Sequence, residues 1–255
     1  MRLQSKRPVE VRGKTIGGPC PMICLPLVAE EKSDLLKQAG ELMLLAPDLL
    51  EWRIDGYSGA DDVAGSLETL KALRAVVKTL PLLFTCRIEA EGGLRRISRG
   101  TRLDLIAAAI QAGLVDMVDI ELCNDREFID SIIETATHHG VRTILSFHDF
   151  ERTPDESDIV DKLVQAQALG ADIAKAAVMP QDYADVLVLL NATLKARTEA
   201  VDIPIITISM ADEGKISRIA GGLFGSDITF AAGKTTSAPG QIPIEDLRQA
   251  MAALY

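Results

Sequence analysis

Residues 172–178, Asp-Ile-Ala-Lys-Ala-Ala-Val, and residues 204–210, Pro-Ile-Ile-Thr-Ile-Ser-Met, decide the fold. Each is short and almost continuously apolar, without the polar alternation of a sheet that faces water on one side, and this is the pattern of a strand covered on both faces. Runs of this kind recur along the whole chain, at 22–27, 49–54, 82–87, 117–122, 142–147, 173–178, 205–209 and 228–230, which makes eight candidate strands. Longer amphipathic stretches separate them: 33–46, 61–77, 102–112, 125–139, 155–169, 181–195, a shorter piece around 215–219, and 245–253. Gly113, Gly140 and Gly170 fall just past helix ends, where a left-handed residue is needed, and Thr153-Pro154 suits a helix start. An unbroken βαβα alternation implies parallel strands joined by helical crossovers. Eight such units in 255 residues predict a single α/β domain spanning 1–255, a closed (β/α)8 TIM barrel; a doubly wound open sheet is the alternative. Ahead of the first strand, VEVRGKTIGG (9–18) reads as a β-hairpin around Gly13 that covers one mouth of the barrel.

Composition narrows the class. With 27 Lys+Arg against 37 Asp+Glu, the formal net charge of −10 argues against a nucleic-acid binder, which needs clustered cations. A hydrophobic fraction of 47% is enough for a large core, so disorder is not expected. Cys20, Cys24, Cys86 and Cys123 show neither a disulfide framework nor zinc-ligand spacing. The opening MRLQSKRPVEVRGK lacks the apolar run of a signal peptide, and no uncharged stretch is long enough to span a membrane. A cytoplasmic protein without a membrane partner is expected.

In a barrel of this type chemistry sits at the C-terminal ends of the strands. Here those ends carry Glu51-Trp52-Arg53-Ile54-Asp55, then Cys86-Arg87-Ile88-Glu89 with Glu91 close by, Asp119-Ile120-Glu121, Ser146-Phe147-His148-Asp149, and Lys175 within ADIAKAAVMP. Two readings are open for Lys175. Burial and nearby cations favour the neutral amine, a nucleophile towards carbonyls, or else the lysine is paired with a carboxylate such as Glu121. His148, on the neighbouring strand, suits proton transfer or, equally, a hydrogen-bonded core position. His138 and His139, at a helix end, read as surface residues complementing the dipole. Arg53, Arg87 and Arg218 form a candidate anion pocket, or serve as partners of strand-end acids. Arg95, Arg96, Arg99 and Arg102 read as a solvated helix face. AAGKTTSAPGQIP (231–243) suits a loop that folds over a ligand, and its Gly-Lys-Thr lacks the spacing of a phosphate loop. With no dinucleotide fingerprint, HExxH or His/Cys cluster, no cofactor and no metal are expected.

The strand-end motifs EWRID (51–55), FTCRIEAEGG (84–93), SFHDF (146–150), ADIAKAAVMP (171–180), SMADEGKISRIAGGLFGSDITF (209–230) and SAPGQI (237–242) together resemble type I 3-dehydroquinate dehydratase, from about Pro21 to the C-terminus. Each motif alone is weak, and their ordered set is specific. The resemblance implies a homodimeric barrel that converts 3-dehydroquinate to 3-dehydroshikimate and water, a shikimate-pathway step, without metal or organic cofactor. It implies that Lys175 forms an imine with the substrate ketone, that His148 moves the protons, and that Glu91 orients the histidine. It further implies that Arg218 binds the substrate carboxylate, with Ser237 and Gln241 on the closing loop, and that Glu51, Arg53 and Arg87 hold the ring hydroxyls. Pro26 stands where some members carry serine, and the AAGKTT stretch varies among members. A class I aldolase-like Schiff-base lyase is the alternative, set apart by its usual preference for phosphate over carboxylate; a catalytically silent barrel is a third reading.

Overall fold

Strands β1 (Val9–Val11) and β2 (Lys14–Ile16) pair antiparallel across Arg12 and Gly13, both of which have positive φ (47° and 74°), as a tight two-residue hairpin turn requires. In this computed structural model, which describes residues 2–233 and 238–255, eight parallel strands follow. They are β3 (Met22–Leu27), β4 (Leu49–Arg53), β5 (Leu82–Thr85), β6 (Met117–Glu121), β7 (Arg142–Asp149), β8 (Ile173–Val178), β9 (Ile205–Ser209) and β10 (Ile228–Phe230). Their order, β10-β3-β4-β5-β6-β7-β8-β9, sets the last strand beside the first and bends the sheet into a nearly closed (β/α)8 barrel rather than an open doubly wound sheet. At the seam, an isolated bridge joins Ile205 to Ser226, Asp227 N–H donates to Ile205 O (2.7 Å), and the Asp227 carboxylate and Ser226 hydroxyl accept from the backbone of Ile205 and Thr207 (2.8 and 3.1 Å). Side chains thus complete the ladder where strand pairing stops.

Around this sheet run α1 (Lys32–Met43), α2 (Val63–Val77), α3 (Arg99–Gln111), α4 (Arg126–His139), α5 (Glu156–Ala168), α6 (Tyr183–Lys195), α7 (Lys215–Phe224) and α8 (Ile244–Ala252). Alternate strand residues face opposite ways. Leu50, Trp52, Phe84, Val118, Ile120 and Leu145 face the helices and form the main core with Leu70, Leu73, Leu105 and Ile132. Each such side chain contributes roughly 1.5–3 kcal/mol by burial, so stability resides in this shell and the inner face is released for other uses. The inner face begins with an apolar floor of Leu49, Leu83, Met117, Ile144, Ile173, Ile206 and Ile228. Val9, Val11 and Ile16 of the hairpin pack on this floor, and Arg12 and Lys14 pair with Asp116 and Asp48 at the strand starts. The hairpin therefore closes the N-terminal mouth, opposite the strand ends that carry the polar residues.

Several helix boundaries differ from the sequence expectation, α1 ending at Met43 and α2 and α6 starting at Val63 and Tyr183, and two of the differences have identifiable reasons. Helix α3 starts at Arg99, not Arg102, because Ser98 caps it by accepting from Thr101 N–H (3.1 Å). Helix α7 runs on through Gly221-Gly222 to Phe224, well past residue 219. At Gly222 a Cβ would stand 2.3 Å from Pro21 Cγ, so glycine is there for close packing and not as a helix stop. Among the described residues no helix is long and apolar enough to cross a membrane.

Candidate active site

Counting by twos above the apolar floor gives the site. Glu51 and Arg53 follow Leu49; Thr85 and Arg87 follow Leu83; Asp119 and Glu121 follow Met117; Ser146 and His148 follow Ile144; Lys175 and Ala177 follow Ile173. One cavity at the C-terminal mouth is lined by Glu51, Arg53, Arg87, Glu91, His148 and Lys175, with Arg218 and Gln241 on its other side and Phe150, Ile208, Met210 and Phe230 as apolar wall. Every candidate site residue except Ser237 thus meets at one place. Ser237 lies outside the described residues.

Lys175 is buried at 5% exposure, and Nζ donates to Asp119 Oδ2 at 2.8 Å. Its partner is therefore not Glu121, because that carboxylate is taken: it accepts from Arg87 (2.9 Å), Arg102 (2.8 Å), Asn124 (3.1 Å) and the Ile88 N–H (3.2 Å). Nζ also stands 4.8 Å from the Phe230 ring centroid, within cation–π range. Asp119 is fully buried and additionally meets Arg87 (2.9 Å) and the Ser146 hydroxyl (2.5 Å). Burial opposes its charge, but Arg87 and then Lys175 hold its carboxyl far below the usual range.

The second centre is His148, the residue paired with Ala177 on β8 and so one layer above Lys175 on the adjacent strand. Glu91, on a 3-10 turn (Glu89–Glu91) after β5, reaches across to it. Its Oε2 accepts from the backbone N–H of His148 (3.0 Å) and lies 2.9 Å from Nδ1. With Glu91 ionised, Nδ1 carries the proton and the Nε2 lone pair is free. Burial, and after it the charges of Arg87 and Lys175, push the His148 pKa well below its ordinary value, so the ring is neutral near pH 7. Burial raises Glu91 to about 7, against the opposing effects of a Cys123 hydrogen bond and the Arg87 charge.

The arginines divide by partner. Arg53 forks onto Asp55 (2.8 and 2.7 Å) and donates to Gly92 O (3.0 Å), which ties the loop carrying Glu91 to β4. Arg87 has five N–H donors, of which three are engaged by Asp119, Glu121 and Ser146. Arg218 differs. It is 3% exposed and, among the described residues, donates only to the carbonyls of Phe230 (3.2 Å) and Pro239 (2.9 Å); its Nε–H has no partner, and no carboxylate among those residues pairs with it. Burial alone lowers it to about 10. A buried guanidinium with carbonyls but no counter-charge is an incomplete anion site.

Arg102 corrects the reading of the basic run. It is 6% exposed and holds Glu121, while Arg99, paired with Asp125, and Arg96, ahead of the helix, are exposed, and Arg95 is half-buried against the carbonyls of Tyr57 and Ser58. Arg102 stands three, four and seven residues before Leu105, Ile106 and Ala109, on the same buried face of α3. His138 and His139 are exposed in the last turn of α4, as expected, with His139 Nδ1 2.9 Å from Thr135 O. The sequence reading assigns no role to Asp119 or Ser146, although the period-two count from Met117 and Ile144 carries the signal for both.

Comparison with known proteins agrees with this geometry. The family model described as type I 3-dehydroquinase matches residues 23–255. A protein of Bacillus licheniformis named 3-dehydroquinate dehydratase is 46% identical over 250 residues, 98% of each chain. A crystal structure of type I 3-dehydroquinate dehydratase from Clostridium difficile, with covalently modified comenic acid, superposes with a TM-score of 0.94 at 42% identity over 97% of both chains. The enzyme of that name from Geobacillus kaustophilus gives a TM-score of 0.96 at 42% identity, covering 100% of this chain and 98% of its own. With the family model spanning nearly the whole chain and the buried lysine, the histidine–glutamate pair and the unpaired arginine gathered in one mouth, the chain belongs to the type I 3-dehydroquinase family.

Proposed function

We propose that the protein removes water from 3-dehydroquinate to give 3-dehydroshikimate, a step of the shikimate pathway, through an imine on Lys175. The observation that carries this reading is the buried Lys175 amine sharing a cavity with a neutral His148 whose Nδ1 is held by Glu91. Nζ, having given up a proton, bonds to the ketone carbon; the carbonyl oxygen takes protons and leaves as water, and a C=N bond remains. His148 Nε2 then removes a proton from the adjacent carbon, and the C–H electrons flow into the iminium to give an enamine. The enamine expels the ring hydroxyl, which leaves as water with the proton that His148 carries. Hydrolysis of the conjugated imine releases product and restores the amine. The reaction as a whole is 3-dehydroquinate giving 3-dehydroshikimate and water. A direct assay follows the conjugated enone by its ultraviolet absorbance; no absorbance change with 3-dehydroquinate, at high enzyme concentration, overturns the assignment.

Arg218 is the group for the substrate carboxylate, since an anion there supplies the missing counter-charge; Gln241 lines the same cavity, and Ser237 is assigned to the carboxylate by family likeness. Glu51, Arg53 and the remaining donors of Arg87 face the ring hydroxyls. Arg218→Ala is expected to lower kcat/KM by about tenfold to a hundredfold, the range of a lost charge-assisted hydrogen bond. A substrate analogue lacking the carboxylate should bind both forms equally; an equal loss with that analogue contradicts the role.

The protein acts as a homodimer in a reducing, cytoplasmic setting, in keeping with four free cysteines. The outer face of α6 supports the dimer: Tyr183, Leu187 and Leu194 are 74%, 61% and 38% exposed along one helical stripe. Light scattering should give twice the chain mass, and Leu187→Glu should return the monomer; a monomeric parent protein excludes the dimer.

A further inference from the structure

The carboxylate that faces Lys175 has a place in the chemistry that the lysine, histidine and glutamate do not cover. An ammonium carries three protons. In making an imine, one leaves before attack and one departs with the carbonyl oxygen as water, so a single N–H is left on a planar nitrogen. The only hydrogen bond from Lys175 Nζ among the described residues goes to Asp119 Oδ2, at 2.8 Å. If that N–H keeps its direction, the substrate carbon lies on the opposite side of the nitrogen, towards the open cavity, with Phe230 flanking the nitrogen at 4.8 Å.

The surroundings hold Asp119 ionised and fixed. Arg87 approaches from β5 (2.9 Å) and Ser146 from β7 (2.5 Å), while His148 of β7, Glu121 of its own strand, Glu51 of β4 and Cys24 of β3 complete the titratable groups around it and Lys175. Arg87 does not need Asp119 as its sole partner, because Glu121 and Ser146 already accept from its other nitrogen (2.9 and 2.8 Å). Asp119 Oδ2, the oxygen directed at the amine, is shared with Arg87, while Oδ1 takes the Ser146 hydroxyl.

We propose that Asp119 is the counter-ion of the Lys175 imine: it accepts the one iminium N–H, keeps the imine protonated through the elimination, and fixes which way the C=N bond faces His148. This rests on the imine reading above. A protonated imine is the form that draws electrons from the adjacent C–H bond; a neutral imine does so poorly. Asp119 neither gains nor loses a proton in this scheme. The cationic nitrogen becomes a neutral enamine nitrogen when the C–H electrons arrive, and its N–H stays on Asp119 throughout.

Two hydride reagents separate the protonation states, since cyanoborohydride reduces the protonated imine and borohydride reduces both forms. Trapping on the intact enzyme with 3-dehydroquinate, read by mass across pH, is compared for the parent protein and D119N. In D119N the borohydride adduct should persist, while the cyanoborohydride adduct should fade at a pH about 1–3 units lower than in the parent, the effect of an opposite charge at this distance. Its kcat should fall by about 10²-fold or more with little change in KM, as when a preorganised electrostatic partner is lost, and D119E should restore part of both. A parent-like ratio of the two adducts across pH in folded D119N overturns the proposal. If D119N does not fold, the parent protein decides alone: a ratio constant into the alkaline range supports the counter-ion, and a ratio that collapses near neutrality overturns it. No adduct with either reagent in the parent overturns the imine itself, and the counter-ion with it.

Discussion

Replacing Lys175 by alanine should lower turnover of 3-dehydroquinate by about 10⁴-fold or more, because it is the nucleophile of the covalent intermediate and no other amine among the described residues lines the cavity. The fold should survive this change. Lys175 leaves behind a carboxylate that still has Arg87 and the Ser146 hydroxyl at 2.9 and 2.5 Å, so no buried charge is orphaned. Circular dichroism and thermal unfolding should stay close to those of the parent protein, while the enone assay goes silent. Turnover within about tenfold of the parent is incompatible with nucleophilic catalysis by this residue.

His148→Ala should cost about 10²–10⁴-fold in kcat, the range for loss of a positioned acid–base group, with Lys175 still labelled by substrate and borohydride. Rapid elimination in that variant contradicts the role. The pH profile carries further information. Catalysis needs Nδ1–H donating to an ionised Glu91 so that Nε2 is the base; a protonated Glu91 can instead donate to Nδ1 and place the ring proton on Nε2. Since burial raises Glu91 to about 7, the competent form is lost as pH falls through about 7. His148, held below its ordinary value, takes up a proton only at lower pH. The acid limb of kcat should therefore report the glutamate, and Glu91→Gln should abolish that limb. An unchanged acid limb in Glu91→Gln assigns the titration to another group.

The barrel was legible because its strands are buried on both faces: an apolar run such as 204–210 has few other interpretations. The hairpin at Gly13 was equally plain from its turn. Boundaries were less so. The Gly221-Gly222 pair looks like a helix end, but Gly222 is a packing contact with Pro21, which no local pattern reveals. For the site, the convergence of strand ends on one mouth followed from barrel geometry, whereas the roles of Glu91 and Arg218 came from family resemblance. Glu91 lies on a turn after its strand and reaches His148 over 57 positions of sequence, beyond any local rule. The partner of Lys175 could not be read from register alone: pairing puts Glu121 on the rung of Ser146 and Lys175, yet Nζ reaches back to Asp119, two residues earlier on β6, because Glu121 is held by Arg87 and Arg102. Arg102 is grouped with its basic neighbours by sequence proximity, whereas its spacing to Leu105, Ile106 and Ala109 sets it on the buried face of α3.

The most direct test of the central claim is mass spectrometry of the protein and its peptides after incubation with 3-dehydroquinate and borohydride. The covalent account predicts a single ligand-sized mass addition that maps to the peptide containing Lys175 and is absent when substrate is left out. Measurable formation of 3-dehydroshikimate with no adduct on that peptide would contradict it.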